Sequence, residues 1–295
     1  MAYAFKRPDR VADQVREIAA EQVDKAIEAI VASDDFDVTV HGLRRSCKKL
    51  RALLKLVRPV FADYALENAA IKAIADRFSV ARDAAVMVET ISAIIAGSSG
   101  RLAADGAEPD RLAGRLRARA GHLREQMGEA ELLALAKADF EQVRERIAGW
   151  RFDASGIEIV RPGLAKAYRR FRKGLAAVRR SPDGETVHEW RKAAKVWWYQ
   201  MRLYERTAPA VLENLVAQLD TLGEMLGDHH NLTVLADWIV SSRGPGEGAS
   251  ESLLVEITER QNELVTQALA LGRQLTAERP RTAADRFSAY WQLLG

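Results

Sequence analysis

Two segments of the chain carry histidine, arginine and lysine at helical spacing, and the chemistry such a pattern serves is anion binding. On a helical wheel with His41 at 0° and about 100° per residue, Arg44, Arg45, Lys48, Arg51 and Lys55 fall between about −80° and +40°. Leu43, Leu50, Leu53, Leu54 and Val57 take the opposite side. From His41 to Arg58 there are seven basic residues and no acidic one. A second stripe, His188, Arg191, Lys192, Lys195 and Arg202, is backed by Trp190, Trp197, Met201 and Tyr204. Ordinary solvated helix faces mix signs, because like charges at i,i+4 oppose the helix. An all-positive stripe costs helix stability and calls for a compensating anion.

The segment before the second stripe repeats the idea. Arg161 to Arg180 holds eight basic residues and no acidic one. Lys166, Arg169, Arg170 and Lys173 stand at i, i+3, i+4 and i+7, while Arg172 and Arg179 point elsewhere. In the first half only Lys25 keeps a matching charge, so the expected cavity is lopsided. Arg111, Arg115, Arg119 and His122 form a weaker fourth stripe, read as surface.

These spacings also indicate which anion. Sites for one or two phosphates use a glycine-rich loop and a helix N-terminus, and no such loop is evident. The positive charge runs along several turns, about 20 Å at 1.5 Å per residue, which suits a long, flexible polyanion. Arginine offers forked contacts to phosphate oxygens and lysine a mobile point charge.

The elements that must position these residues are helices. Apolar residues recur at three- and four-residue spacing, and strand-like alternation is nearly absent. The periodicity predicts helices over 9–32, 38–58, 61–78, 80–96, 109–128 and 130–148, then 161–180, 186–206, 209–226, 229–242, 249–275 and 281–293. Breakers fall at 97–100, 154–156, 181–184 and 244–248. The two series have the same order, and an internal repeat joins them. Val40-His41-x-x-Arg44-Arg45-x-x-Lys48 matches Val187-His188-x-x-Arg191-Lys192-x-x-Lys195 at an offset of 147. The preceding loops differ by one residue, so Lys25 aligns with Lys173 at an offset of 148. Ser79-x-x-Arg82-Asp83-x-x-Val86 then lines up with Gly227-x-x-His230-Asn231-x-x-Val234. The fold class is all-α.

Bulk properties agree with a globular chain. Its 295 residues are 48% apolar and 29% charged, with a net charge of only +3. Local distribution of charge therefore matters more than the total. Cys47 is the only cysteine, which excludes an intramolecular disulfide and a cysteine-based zinc cluster. The start lacks the apolar stretch of a secretory signal, and Ala84 to Ala96 is too short to span a bilayer. A cytoplasmic protein is expected, with no membrane partner.

The duplicated H-x-x-R-[RK]-x-x-K helix, followed in each half by an R-D pair or its variant, resembles the conserved histidine α-helical domain family, called CHAD. The resemblance covers nearly the whole chain, as a single domain over 1–295 with repeats at 1–150 and 157–295. It implies two helical bundles related by a pseudo-two-fold axis around a basic central pore that binds inorganic polyphosphate, with polyphosphate granules as a destination. Carried over by position, His41, Arg44, Arg45 and Lys48 pair with His188, Arg191, Lys192 and Lys195 as pore-lining residues. Arg82 and Asp83 match the R-D landmark, from which His230 and Asn231 depart. Family members can also carry an upstream triphosphate-tunnel domain; this chain starts at the helical domain, and a binding protein without enzymatic activity or cofactor is expected.

Other readings compete at several residues. Adjacent His229 and His230 point about 100° apart on a helix and chelate one ion less readily than an i,i+4 pair, so no metal site is expected. Asp83 reads as a buried ion-pair or helix-start residue, and Cys47 as a small core residue. Trp197 and Trp198 could stack on bases, although Trp197 falls on the core side. Nucleic-acid binding, phosphate-ester or anhydride hydrolysis, and an acidic partner protein stay open as alternatives to polyphosphate.

Overall fold

The computed structural model describes residues 3–98, 102, 107–242 and 251–294. Eleven α-helices occupy these residues: α1 (Val11–Val31), α2 (Phe36–Val57), α3 (Tyr64–Arg77), α4 (Ser79–Gly97), α5 (Glu108–Glu125), α6 (Glu129–Ile147), α7 (Arg161–Val178), α8 (Gly184–Tyr204), α9 (Pro209–Ser241), α10 (Glu251–Leu275) and α11 (Pro280–Trp291). The expected breakers at 99–100 and 244–248 lie outside the described residues. Among the described residues no helix is long and apolar enough to cross a membrane.

The two His-bearing helices start in the same way. Asp35 accepts a hydrogen bond from the Val38 amide at 3.0 Å, and Asp183 accepts one from the Thr186 amide at 2.8 Å. Each carboxylate satisfies an otherwise orphaned amide and favours the helix dipole. The two helices thus share an aspartate cap that fixes where each basic stripe begins.

One expectation needs correction. Residues 209–226 and 229–242 do not form two helices; α9 runs unbroken through Gly227. Glycine lowers helix stability by about 1 kcal/mol relative to alanine, but here a continuous buried face of Leu222, Gly223, Leu226, His229 and Leu232 carries the helix across. In the first half the corresponding stretch does break, at Phe78, between α3 and α4. The α9 glycines also make room for cations of α8. A Cβ on Gly223 would stand 2.7 Å from the Lys195 Nζ, and one on Gly227 would stand 3.7 Å from the Arg191 Nε.

The apolar faces gather into two clusters, each drawing on both halves of the chain. The larger joins α1, α2, α3 and α6 to α7, α8, α11 and the start of α9. The smaller holds Met87, Ile91, Leu112 and Leu116 of α4 and α5 against Leu232, Leu235, Ile239, Leu253 and Ile257 of α9 and α10. Trp190 is fully buried in a slot that two glycines leave open; a Cβ on Gly174 or on Gly272 would come within 2.6 Å of its ring. The site depends on α2 and α8 packing together, and there the buried Gln200 amide donates to the Ala52 carbonyl at 3.2 Å. Helix α7 closes on α2 at Gly163, where a Cβ would meet the Leu56 carbonyl oxygen at 1.7 Å.

Candidate anion-binding groove

Because α2, α7 and α8 each bury one apolar face in the larger core, their basic faces are forced to meet outside it. The result is a groove of about 520 Å³. Arg51 and Lys55 come from the end of α2 and Arg58 from the turn just after it, Lys166, Arg170 and Lys173 from α7, and Lys192 from α8. Small residues form the rest of the lining: Gly163, Ala167, Gly174 and Ala177 on α7, and Ala193 and Val196 on α8. Glu189 is the only carboxylate there and is in contact with Lys192. The Arg51 Nε donates to the Asn68 Oδ1 at 3.1 Å, and the Arg58 guanidinium stacks over Tyr64. Both arginines are thus oriented without losing their charge to a carboxylate.

A second group of predicted residues lies where the N-terminal halves of α2 and α8 approach α4 and α9. Lys48 feels the charges of Arg191, Arg44, Lys195 and Arg82. Arg44 donates to the Ala75 carbonyl at 3.2 Å, Lys195 pairs with Asp220 at 3.3 Å, and Arg82 reaches Glu89 at 3.7 Å. The rings of His188 and His230 face one another with centroids 4.2 Å apart. His229 turns away into the core, so the adjacent histidines diverge as their spacing requires. Asp83 is exposed, not buried as expected, because α4 turns it outward; its charge is still felt by Arg191. Cys47 is buried, and that burial pushes its thiol up to about 12.

The remaining predicted residues separate from these. Lys25 and Arg202 line a different cavity, and Arg169 and Arg45 line neither. Lys25 lies 2.6 Å from Glu21, and Arg202 lies over Trp198, which also carries Lys195 on its ring at 4.7 Å. Sequence reasoning missed Arg58 and Lys49. Both belong to the basic run of α2, but Arg58 falls at about 260° and Lys49 at about 80° on the wheel, outside the sector taken as the stripe. The absence of acidic residues across the whole run was the signal that could have found them.

The crowding of like charge shows in the proton affinities. Burial, then the charges of Arg51, Arg170, Lys192 and Arg58, pushes Lys55 down to about 8. Burial, then Arg191, Arg44, Lys195 and Arg82, does the same to Lys48, also to about 8. Burial and neighbouring cations hold His41 and His188 below the usual histidine range, and His230 is pushed down to about 4 by burial and then by His188 and Arg191. A polyanion bound in the groove would supply Lys55 with the missing counter-charge and raise it again. Such binding would take up a proton: affinity would be fully present below pH 8, where Lys55 is protonated in both states, and would fall as pH rises above 8. Calorimetry at pH 8 in two buffers of different ionisation enthalpy should show net proton uptake, and a polyanion that binds with no uptake would mean that Lys55 is not engaged.

An all-helical chain whose α2, α7 and α8 enclose a basic groove is the class these features define. The chain matches the model of the CHAD domain over residues 15–240 and belongs to the CHAD domain family. Two solved structures share its fold. PptA from Streptomyces chartreusis is 16% identical with a TM-score of 0.63, over 92% of this chain and 100% of that one. The CHAD domain from the plant Ricinus communis is 17% identical with a TM-score of 0.52, over 99% of this chain and 95% of that one. No curated protein matches the chain.

Proposed function

We propose that the chain binds inorganic polyphosphate in the groove between α2, α7 and α8, without catalysing a reaction on it. One observation carries the reading: seven cations from three helices line one groove with a single carboxylate. The cations of α7 and those of α2 each extend over about 10 Å of helix axis, so they meet a linear anion along its length. The small residues between them let a slender chain lie close to the backbone. Membership of the CHAD family, to which polyphosphate binding is ascribed, supports the same ligand. Association with polyphosphate granules in the cytoplasm would follow from such binding.

The lining favours polyphosphate over the alternatives. Single-stranded nucleic acid is held by stacking bases on aromatic side chains, and no Phe, Tyr or Trp lines the groove. Catalysis on phosphate esters or anhydrides needs a nucleophile with a positioned base, or a metal cluster. No Ser, Thr, Cys or His stands in the lining, and among the described residues no group of three or more His, Cys, Asp or Glu side chains is placed to hold a metal.

Competition tests the proposal. Polyphosphate of defined length should bind with an affinity that falls steeply with salt, as counterion release requires. Single-stranded DNA at matched phosphate concentration should displace little of it. Full displacement by DNA would replace this reading with a general nucleic-acid one.

A further inference from the structure

The cavity that holds Lys25 and Arg202 encloses about 450 Å³ and also presents Lys49, Arg206, Glu205 and Glu213. It shares no lining residue with the groove. The repeat nevertheless joins the two. An offset of 147 carries Lys55 to Arg202, Arg58 to Glu205 and Lys49 to Val196, and the upstream offset of 148 carries Lys25 to Lys173. In each of these four pairs one member lines the groove and the other lines the second cavity.

Divergence has changed the copy. Where α7 gives the groove Lys166 and Arg170, α1 has Ile18 and Gln22, both buried. Where the groove has Arg58, the second cavity has Glu205, and Glu213 adds another carboxylate. With Lys25 already paired to Glu21, Lys49, Arg202 and Arg206 face two carboxylates, a balance suited to a compact anion and poor for a long chain. Among the described residues neither Lys49 nor Arg202 forms an ion pair with a carboxylate, and the charge of Arg202 opposes that of Lys49.

We propose that this second cavity is a separate site for a small anion carrying one or two phosphate groups, the diverged counterpart of the groove. The inference rests on the groove's being an anion site, since it is drawn from the repeat relation. The anion comes either from free phosphate species or from the terminal groups of a polyphosphate chain, because both present the same oxygens.

Sodium pyrophosphate is the probe. Calorimetric titration of the whole chain should reveal two sites, one of which disappears in Lys49→Ala/Arg202→Ala and the other in Lys55→Ala/Arg170→Ala. Glu205→Arg should tighten the second site about fivefold, as reversal of a half-buried charge at a hydrated cavity allows, and leave the groove unchanged. This gain of affinity guards against a double variant that merely misfolds. Pyrophosphate binding that persists when long polyphosphate fills the groove assigns the free anion, and its loss assigns the chain ends; either supports the site. Two-site binding that is unaltered by Lys49→Ala/Arg202→Ala, with Glu205→Arg silent, overturns it. Long-chain binding that survives Lys55→Ala/Arg170→Ala instead sinks the polyphosphate groove and leaves the second cavity to stand on its own titration.

Discussion

Replacing Lys55 and Arg170 together by glutamate should lower polyphosphate affinity at least a hundredfold at about 0.1 M salt, while the protein remains folded and at least as stable. Both side chains line the groove, one from each wall. Reversing two cations changes the lining by four charge units. At an interaction of about 1 kcal/mol per charge near a hydrated surface, that amounts to more than two decades in affinity. The stability argument has the opposite sign. Lys55 is held near 8, well below the ordinary value of lysine, so its charged form is disfavoured in the fold. Below pH 8 that costs stability, and the cost is relieved as pH rises from 8 towards the ordinary value. Glutamate at 55 would sit among Arg51, Arg58 and Lys192 as a counter-charge. A titration and a thermal melt on the same sample check both halves. Loss of binding together with loss of structure would show that these cations support the fold and not a ligand.

The second large effect is steric. Gly163→Ala should destabilise the protein by about 3 kcal/mol, at the upper end for overpacking a tight interface. The added Cβ would stand 1.7 Å from the Leu56 carbonyl oxygen and 2.5 Å from its carbon, all backbone that no rotamer change can move. Helix α7 must shift away from α2, which widens the groove at one end, so affinity should fall as well. A melting-temperature loss of about 6 °C or more is expected. Gly114→Ala in α5 is the control, because nothing lies within 4 Å of its added Cβ. There the gain in helix propensity should leave stability unchanged or raised by up to about 1 kcal/mol. Equal effects of the two substitutions would refute the close approach of α7 to α2.

The contrast between these two residue sets explains what the sequence could reveal. A period of 3.6 residues and an offset of 147 are properties of one strand of text, and they are enough to find His41 and His188, their stripes, and the basic face of α7. They say which way a side chain leaves its own helix. They do not say which helices bring those faces together. Lys55 and Arg202 are repeat partners on matching stripes, yet the packing of α2 against α8 puts them in different cavities. Arg58 looked peripheral on the wheel and becomes a groove residue because α7 packs beside the end of α2. The helices expected over 209–226 and 229–242 are one, because burial on both sides of Gly227 keeps α9 helical. The burial of Trp190 between Gly174 and Gly272, on two other helices, is likewise a tertiary fact with no local signature.

The same packing accounts for how a chain of net charge +3 can hold a polyanion. Acidic residues are numerous, but many are spent in pairs away from the groove, such as Glu67 with Arg146, Asp139 with Arg77 and Asp24 with Arg144. Seven cations then face one another across a groove with one carboxylate between them. The field is local, and it is a product of three helices that share a core.

A crystal structure of the chain with polyphosphate of defined length tests the central claim most directly. The account predicts a row of phosphate groups along the groove, in contact with Arg51, Lys55, Lys166, Arg170 and Lys173. Density for the chain on other surfaces, with the groove empty at saturating ligand, would contradict it.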